Sequence, residues 1–508
     1  MAGTDPGLEG LVRAVRKLRA KFQQDWHRPR YHFVTPEGVC QPFDPNGAIF
    51  WRGRYHLFYI VQIEGKGHCW GHASSIDLLH WRVHPTALVP GDGDEGIFSG
   101  CALLDKEGVP TIVYLGVNAG ICVARSTDGD LIHWVKDEAN PVIPIPKEGT
   151  PEYNQYVVHD PHVWLEGETY YAIVNGRLPQ SPRRPPGKTH DTAYLFKSYD
   201  LVHWQYLSPF YEPNPSWTYP EEDCACPDFF RLGDKYMLLC ISHYAGARYY
   251  LGRYENEKFY PERHVRMNWP GGTMFAPESL LDSNGRRVFW SWVCEGRSLA
   301  AQKAAGWGGV MSLPRVLSMR DDGTVGIEPV KELERLRLNP VTRANVELAD
   351  GIQVPLEELR GTAWELALDI EPGSARRVGL RVCCSPDGAE QTEIVFDPAA
   401  GTLSVDISKS SLSPEIIWPW PWPYKGERRP DVNHVQTAPF ALASGETLNL
   451  RVFLDGSILE VFANNRQCLT QRLYPTRRDS TGVLLFSQGG AARVRTLAAW
   501  EMAATNPW

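Results

Sequence analysis

Apolar positions recur with two different periods along the chain. Over residues 7–24, Leu8, Leu11, Val12, Val15, Leu18 and Phe22 follow a period near 3.6, with Arg and Lys between them. This pattern predicts one amphipathic helix packed on the main body; a helix for a membrane surface or a partner is the sharper alternative. Beyond it the text turns to short, aromatic-rich segments separated by Gly turns, which reads as β structure.

The β text repeats. A short strand, a Gly-containing turn and an aromatic-rich strand recur five times. The copies start at Asp44-Pro-Asn-Gly, Phe98-Ser-Gly, Asp160-Pro-His, Cys226-Pro-Asp and Ala276-Pro-Glu. The first three copies also carry a Ser-x-Asp turn that ends in His-Trp: Ser75 to Trp81, Ser126 to Trp134 and Ser198 to Trp204. Asp suits the turn and Trp a packed strand, so outer-blade turns are the reading. Five such units predict an all-β fold: a five-bladed β-propeller. First strands line a propeller's channel, so Asp44, Ser99, Asp160, Asp228 and Glu278 are expected to converge at one mouth.

Charged text at Glu328–Arg337 and then Asn339-Pro340 reads as a linker. Alternating strands resume from about residue 345, predicting a C-terminal β-sandwich. The expected organisation is a helical extension over 1–30, a propeller over 31–335, a linker over 336–345 and a sandwich over 346–508. Within the last, Trp418-Pro-Trp-Pro-Trp-Pro-Tyr424 favours an extended polyproline conformation and cannot sit in a central strand. It reads as a packed loop, with a sugar platform or a subunit contact as alternatives.

Composition narrows the function classes. A charge of −8 without a long basic run argues against nucleic acid, and no apolar run is long enough to cross a membrane. The 18 Trp and 21 Tyr suit sugar rings as well as sheet cores. Eleven scattered cysteines lack zinc-finger spacing and read as reduced thiols in a cytoplasmic protein. Nothing calls for a metal or organic cofactor. Two carboxylates at a channel mouth are what glycoside hydrolysis needs, one as nucleophile and one as acid/base. Asp44 and Asp160, each before Pro in register, are the candidates.

The ordered motifs resemble glycoside hydrolase family 32, the invertase, levanase and inulinase group, a five-bladed propeller with a C-terminal sandwich. Phe43-Asp-Pro-Asn-Gly47 followed by Tyr55-His-Leu-Phe-Tyr59 resembles the family's opening motif, which makes Asp44 the nucleophile and Asn46 a substrate contact. Trp70-Gly-His-Ala73 resembles the motif whose Trp borders the fructose subsite. Phe98-Ser99-Gly100 resembles the Phe-Ser-Gly motif. His159-Asp160-Pro161 resembles Arg-Asp-Pro, whose Asp grips the fructose hydroxyls. Gly306-Trp307 with Leu313-Pro-Arg315 resembles the last blade, and Phe453-Leu-Asp-Gly-Ser457 with Glu460-Val-Phe462 the sandwich signature. The resemblance implies a retaining β-fructofuranosidase acting on a fructose-containing oligosaccharide. A fructosyltransferase, a disabled sugar-binding protein and a glycosidase for another furanoside are the alternatives, with a homo-oligomer open.

One departure bears on the chemistry. The family's acid/base is the Glu of Glu-Cys-Pro, and here the residue is Ala225. Losing such an acid costs about 10²–10⁴ in rate. The adjacent Glu222 and Asp223 are the expected substitutes, with Glu278 a third. The pocket also departs from the family: His159 stands for Arg, Phe43 for Asn, and Gln62 lies two residues beyond the usual Gln position. His243 and Arg248 are further lining candidates.

Overall fold

The computed structural model describes residues 6–35, 38–175, 191–219, 222–413, 416 and 434–506. The Trp-Pro segment at 418–424 lies outside them. The helix is α1, Pro6–Gln24. Among its described side chains, only its end is docked: Phe22 is buried beside Val34, Val293, Trp307 and Val310. Leu11, Val12, Val15 and Leu18 are exposed, so the expected packing of the helix on the main body is confined to its last turn.

Five antiparallel meanders follow, each built around four consecutive strands. Their first strands are β1 (Pro45–Trp51), β2 (Ile97–Leu104), β3 (Pro161–Glu166), β4 (Ala225–Leu232) and β5 (Met274–Leu281). Each first strand packs on those of both neighbouring blades, and β5 packs on β1, so the ring closes into a propeller. The Ser-x-Asp turns are explained locally. Asp77 Oδ1 accepts the Leu79 and His80 N–H groups and Oδ2 meets His80 Nδ1, which fastens the outer turn; Asp200 repeats the arrangement with Val202 and His203.

Two six-stranded sheets form the sandwich. The expected linker at 336–345 is not one. Lys331–Leu336 is a 3₁₀ turn, and Arg337–Leu348 is an edge strand paired with Ala492–Met502. The charged residues that suggested a linker belong to the end of the last blade and to this turn, where Glu332 pairs with Arg286, while Arg337 opens the edge strand bonded to Glu365.

The sandwich signature explains how the two units are held. Asp455 accepts the backbone N–H of Arg30, Tyr31 and His32 at 2.6, 2.8 and 2.8 Å, and also meets His32 Nδ1 at 2.9 Å. Glu460 meets Arg315 of the last blade at 3.0 Å and accepts the Leu313 N–H; both charged side chains are fully buried. A second buried cluster joins Glu295 of the propeller to Arg472 at 3.0 Å. Removing one member of such a pair leaves the other charged and dry. Glu460→Ala is therefore expected to lower stability by about 3–5 kcal/mol, measured by denaturant unfolding, while Glu347→Ala on the exposed edge changes it little.

Candidate active site

Four of the five inner strands carry a register shift: β1 between Asn46 and Ile49, β2 between Ile97 and Gly100, β4 between Ala225 and Asp228, and β5 between Phe275 and Pro277. Bulges re-aim side chains. Cys226 and Ala276, each before a proline, take up the turn at φ 44° and 43°, a left-handed conformation costly for residues with a Cβ.

The prolines set the register. Asp44, Asp160, Cys226 and Ala276 all precede one, and Asp44, Asp160 and Cys226 meet with Ser99 at the mouth. His162, Asp228 and Glu278 lie two residues further along their strands, deeper in the channel. Asp228 and Glu278 thus do not join Asp44, contrary to the expected convergence. They line, with His162, Trp164 and Arg287, a cavity of about 490 Å³ toward the other end of the channel. Glu278 Oε1 accepts the Ala48 N–H at 3.0 Å, and burial together with the charge of Asp228 pushes its carboxyl well up. Glu278 is a channel residue that lines this cavity and not the Asp44 mouth.

Around Asp44 the polar atoms are unequally committed. Oδ2 accepts the Ser99 hydroxyl at 3.0 Å, and the Cys226 thiol lies 3.6 Å away. Oδ1 makes no hydrogen bond among the described residues. Asp160 Oδ2 accepts the Cys226 N–H at 2.9 Å, and His159 Nδ1 stands 3.0 Å from Oδ1, close enough for an ion pair although not aligned as a hydrogen bond. Cys226 Sγ lies 3.5 Å from Asp160, so this one residue touches both carboxylates. In the sequence Cys226 opens the fourth repeat and follows the position of the missing Glu, and neither feature assigns it to the site. Its left-handed backbone before Pro227 is what brings the thiol and N–H inward.

Burial and then the charge of Asp160 raise the Asp44 carboxyl from 3.8 to about 6. Burial acts the same way on Asp160, but the charge of His159 and the Cys226 N–H more than offset it and hold the carboxyl below its ordinary value. The opposite holds for His159: burial lowers its pKa, the charge of Asp160 raises it further, and the net shift is upward. The mouth therefore holds one carboxyl shifted down from its ordinary value and one raised to about 6.

The other expected residues divide into contacts and supports. Asn46 is buried; it donates to the Asp44 carbonyl and accepts the Gly100 N–H, tying β1 to β2 beneath the carboxylate. Gln62 accepts the Gln41 N–H and donates to the Pro42 carbonyl, bracing the segment that leads to Asp44. Trp70 is fully buried, and its indole N–H holds the Phe98 carbonyl at 3.0 Å, so it supports the Phe98–Ser99 corner from behind. Phe98 is half-buried and stacks on His68 at 4.8 Å.

Both expected acids are held by cationic or imidazole partners. Glu222 is fully buried and clamped by Arg266 at 2.6 and 3.1 Å, with Arg248 at 3.4 Å. Burial would raise its carboxyl, but Arg266 and Arg248 bring it below the ordinary value. Asp223 uses Oδ1 on the His243 N–H at 2.8 Å and Oδ2 on His243 Nδ1 at 2.7 Å. Burial would raise it too, but the charge of His243 and these bonds hold it well below the usual range. Arg248, a lining candidate, is buried behind both, bonded to Asp191 and to the Asp223 carbonyl. Among the described residues, no group of three His, Cys, Asp or Glu is arranged to hold a metal ion.

The raised carboxyl of Asp44 carries a stability prediction. Its folded value of about 6 lies above its ordinary 3.8, so ionisation opposes folding. The penalty builds between about pH 4 and pH 6 and is complete above that, at about 3 kcal/mol for a shift of roughly two units. Asp44→Asn is expected to unfold at higher denaturant than the wild type at pH 8, with the gain vanishing near pH 4.

With this geometry in hand, comparison with known proteins places the chain. The glycosyl hydrolases family 32 N-terminal domain matches residues 32–329, and the family 32 C-terminal domain matches 332–501. A sucrose-6-phosphate hydrolase of Zymomonas mobilis is 28% identical, over 99% of this chain and 98% of its own length. A raffinose invertase of Escherichia coli is also 28% identical, over 96% and 98%. The crystal structure of fructan 1-exohydrolase IIa from Cichorium intybus superposes with a TM-score of 0.79 at 23% identity, over 94% of this chain and 98% of that one, and shares the propeller-and-sandwich fold. Both parts of the chain, covering nearly its whole length, therefore belong to glycosyl hydrolase family 32.

Proposed function

We propose that the protein is a retaining glycoside hydrolase that cleaves β-fructofuranosides, with Asp44 as nucleophile. The observation that carries this is the asymmetry of the Asp44 carboxylate. One oxygen is fixed by Ser99 and lies beside Cys226, while the other makes no bond among the described residues. A carboxylate oriented through one oxygen presents the second to an electrophilic carbon. Asp160, kept anionic by His159 and the Cys226 N–H, suits binding of sugar hydroxyls and stabilises positive charge at the anomeric carbon as the glycosidic bond breaks. The printed names of the relatives, sucrose-6-phosphate hydrolase and raffinose invertase, agree with a fructoside substrate.

A second reading, sugar binding without turnover, draws on Ala225, which leaves the family's acid position without a carboxylate. The two readings part in one assay. A cytoplasmic setting belongs to the same proposal: all eleven cysteines are free thiols.

The test is fructose release from sucrose, raffinose, and inulin- and levan-type oligosaccharides, with product configuration followed by NMR. The expected result is release with retention, abolished in Asp44→Asn. The acidic limb of kcat/KM should fall near pH 6, because Asp44 must be ionised to attack and its carboxyl titrates at about 6. Binding of the same sugars without release by the wild type would favour the second reading.

A further inference from the structure

We propose that His243, positioned by Asp223, is the proton donor and acceptor of the reaction, taking the place of the carboxylate that Ala225 lacks. The assignment rests on the glycosidase function argued above and concerns the half of the chemistry that Asp44 cannot perform.

Placement comes first. Ala225 pairs with Ile241 on the neighbouring strand, Lys235–Ser242. His243 follows that strand by one residue, in the tight turn where Ser242 accepts the Tyr244 and Ala245 N–H groups. Asp223 precedes Ala225 by two residues, and its carboxylate grips His243 through both backbone N–H and Nδ1. The imidazole is thereby clipped beside Ala225 on the mouth side. Its position is fixed further by the edge-on ring of Phe275, whose centroid is 6.0 Å away at 67°. It lies within electrostatic reach of Asp44, Asp160 and His159 as well as Asp223, which are titratable groups facing it among the described residues. Its side chain remains 28% exposed, whereas that of Asp223 is 2% exposed, so the ring and not the carboxylate meets the solvent side.

The chemistry follows from the pairing. With Asp223 ionised and bonded to Nδ1, the Nδ1 proton stays in place and Nε2 is the ring nitrogen that exchanges a proton. Asp223 is thus a positioning residue that favours the imidazolium, as a carboxylate does behind a catalytic histidine elsewhere. In the first step the Asp44 carboxylate forms a bond to the anomeric carbon. The carbon–oxygen bond to the leaving sugar breaks, and that oxygen takes the Nε2 proton and departs as an alcohol, leaving neutral imidazole. In the second step Nε2 removes a proton from water and the water oxygen bonds to the anomeric carbon. The ester bond to Asp44 breaks, and the carboxylate and imidazolium are both restored. Among the described residues, no other group at the mouth fits the role. Glu222 is clamped by two arginines, His159 serves Asp160, and burial together with the two nearby carboxylates pushes the Cys226 thiol well up, so it gives up its proton poorly.

The test compares sucrose with β-fructofuranosyl fluoride, whose leaving group needs no proton. His243→Gln is expected to lower kcat/KM on sucrose by about 10²–10⁴ and on the fluoride far less. Sodium azide should divert its product to fructosyl azide, since an anionic nucleophile needs no base. Asp223→Asn should move the alkaline limb of the wild-type profile to lower pH, because the charge that favours imidazolium is gone. Three results would overturn the assignment: His243→Gln activity on sucrose within a few-fold of wild type, equal losses on both substrates, or a wild type that turns over the fluoride but not sucrose. A wild type inert toward both substrates would instead remove the underlying function, and this assignment with it.

Discussion

Asp44 and Asp160 are buried at the same channel mouth, and burial together with the charge of Asp160 makes Asp44 costly to ionise. A propeller tolerates such an arrangement because it brings five strand starts to one point while each backbone group stays bonded within its own blade. The neighbours then share out the compensation. His159 and the Cys226 N–H stabilise Asp160 as an anion. Asp44 receives the Ser99 hydroxyl, the charge of His243 and the weak thiol of Cys226, which do not offset burial and Asp160, so it retains a raised carboxyl. Strain at Cys226, with its left-handed backbone, is the local cost of serving both carboxylates. The same imbalance that destabilises Asp44 is what the proposed nucleophile role draws on.

The surrounding structure keeps this arrangement from relaxing. Asn46, Gln62 and Trp70 each fix a backbone segment that carries a mouth residue: β1 to β2, the approach to Asp44, and the Phe98–Ser99 corner. Behind Asp223, Arg248 is bonded to Asp191, and Tyr211 and Tyr250 bond Asp191 in turn. The sandwich adds a further constraint through Asp455 and Glu460, which hold residues 30–32 and Arg315 of the last blade. The sandwich signature motif is therefore a docking element and contributes no group to the mouth.

Much of this was legible from residue order alone. The five repeats, the sandwich strands and the pair Asp44 and Asp160 all follow from local text, because period-two alternation and Asp-Pro turns are local properties. Depth in the channel is not legible at Asp228 and Glu278. These acids follow the repeat starts at Cys226-Pro and Ala276-Pro by two residues and lie in the channel below the mouth. Partners distant in sequence were not legible. Glu222 meets Arg266 and Arg248, and Asp223 meets His243, across a hairpin that spacing cannot register. A charged run followed by Asn-Pro also reads alike whether it is a linker or an edge strand, which is why 336–345 was misassigned.

The central claim is that Asp44 forms the covalent bond to the sugar. Acid-quenching the full-length protein during turnover of β-fructofuranosyl fluoride, followed by peptide mass mapping, tests it directly. The account predicts one fructosyl unit attached to the peptide containing Asp44, at that residue. Attachment at Asp160 or Glu222, or steady turnover with inversion and no labelled peptide, would contradict it.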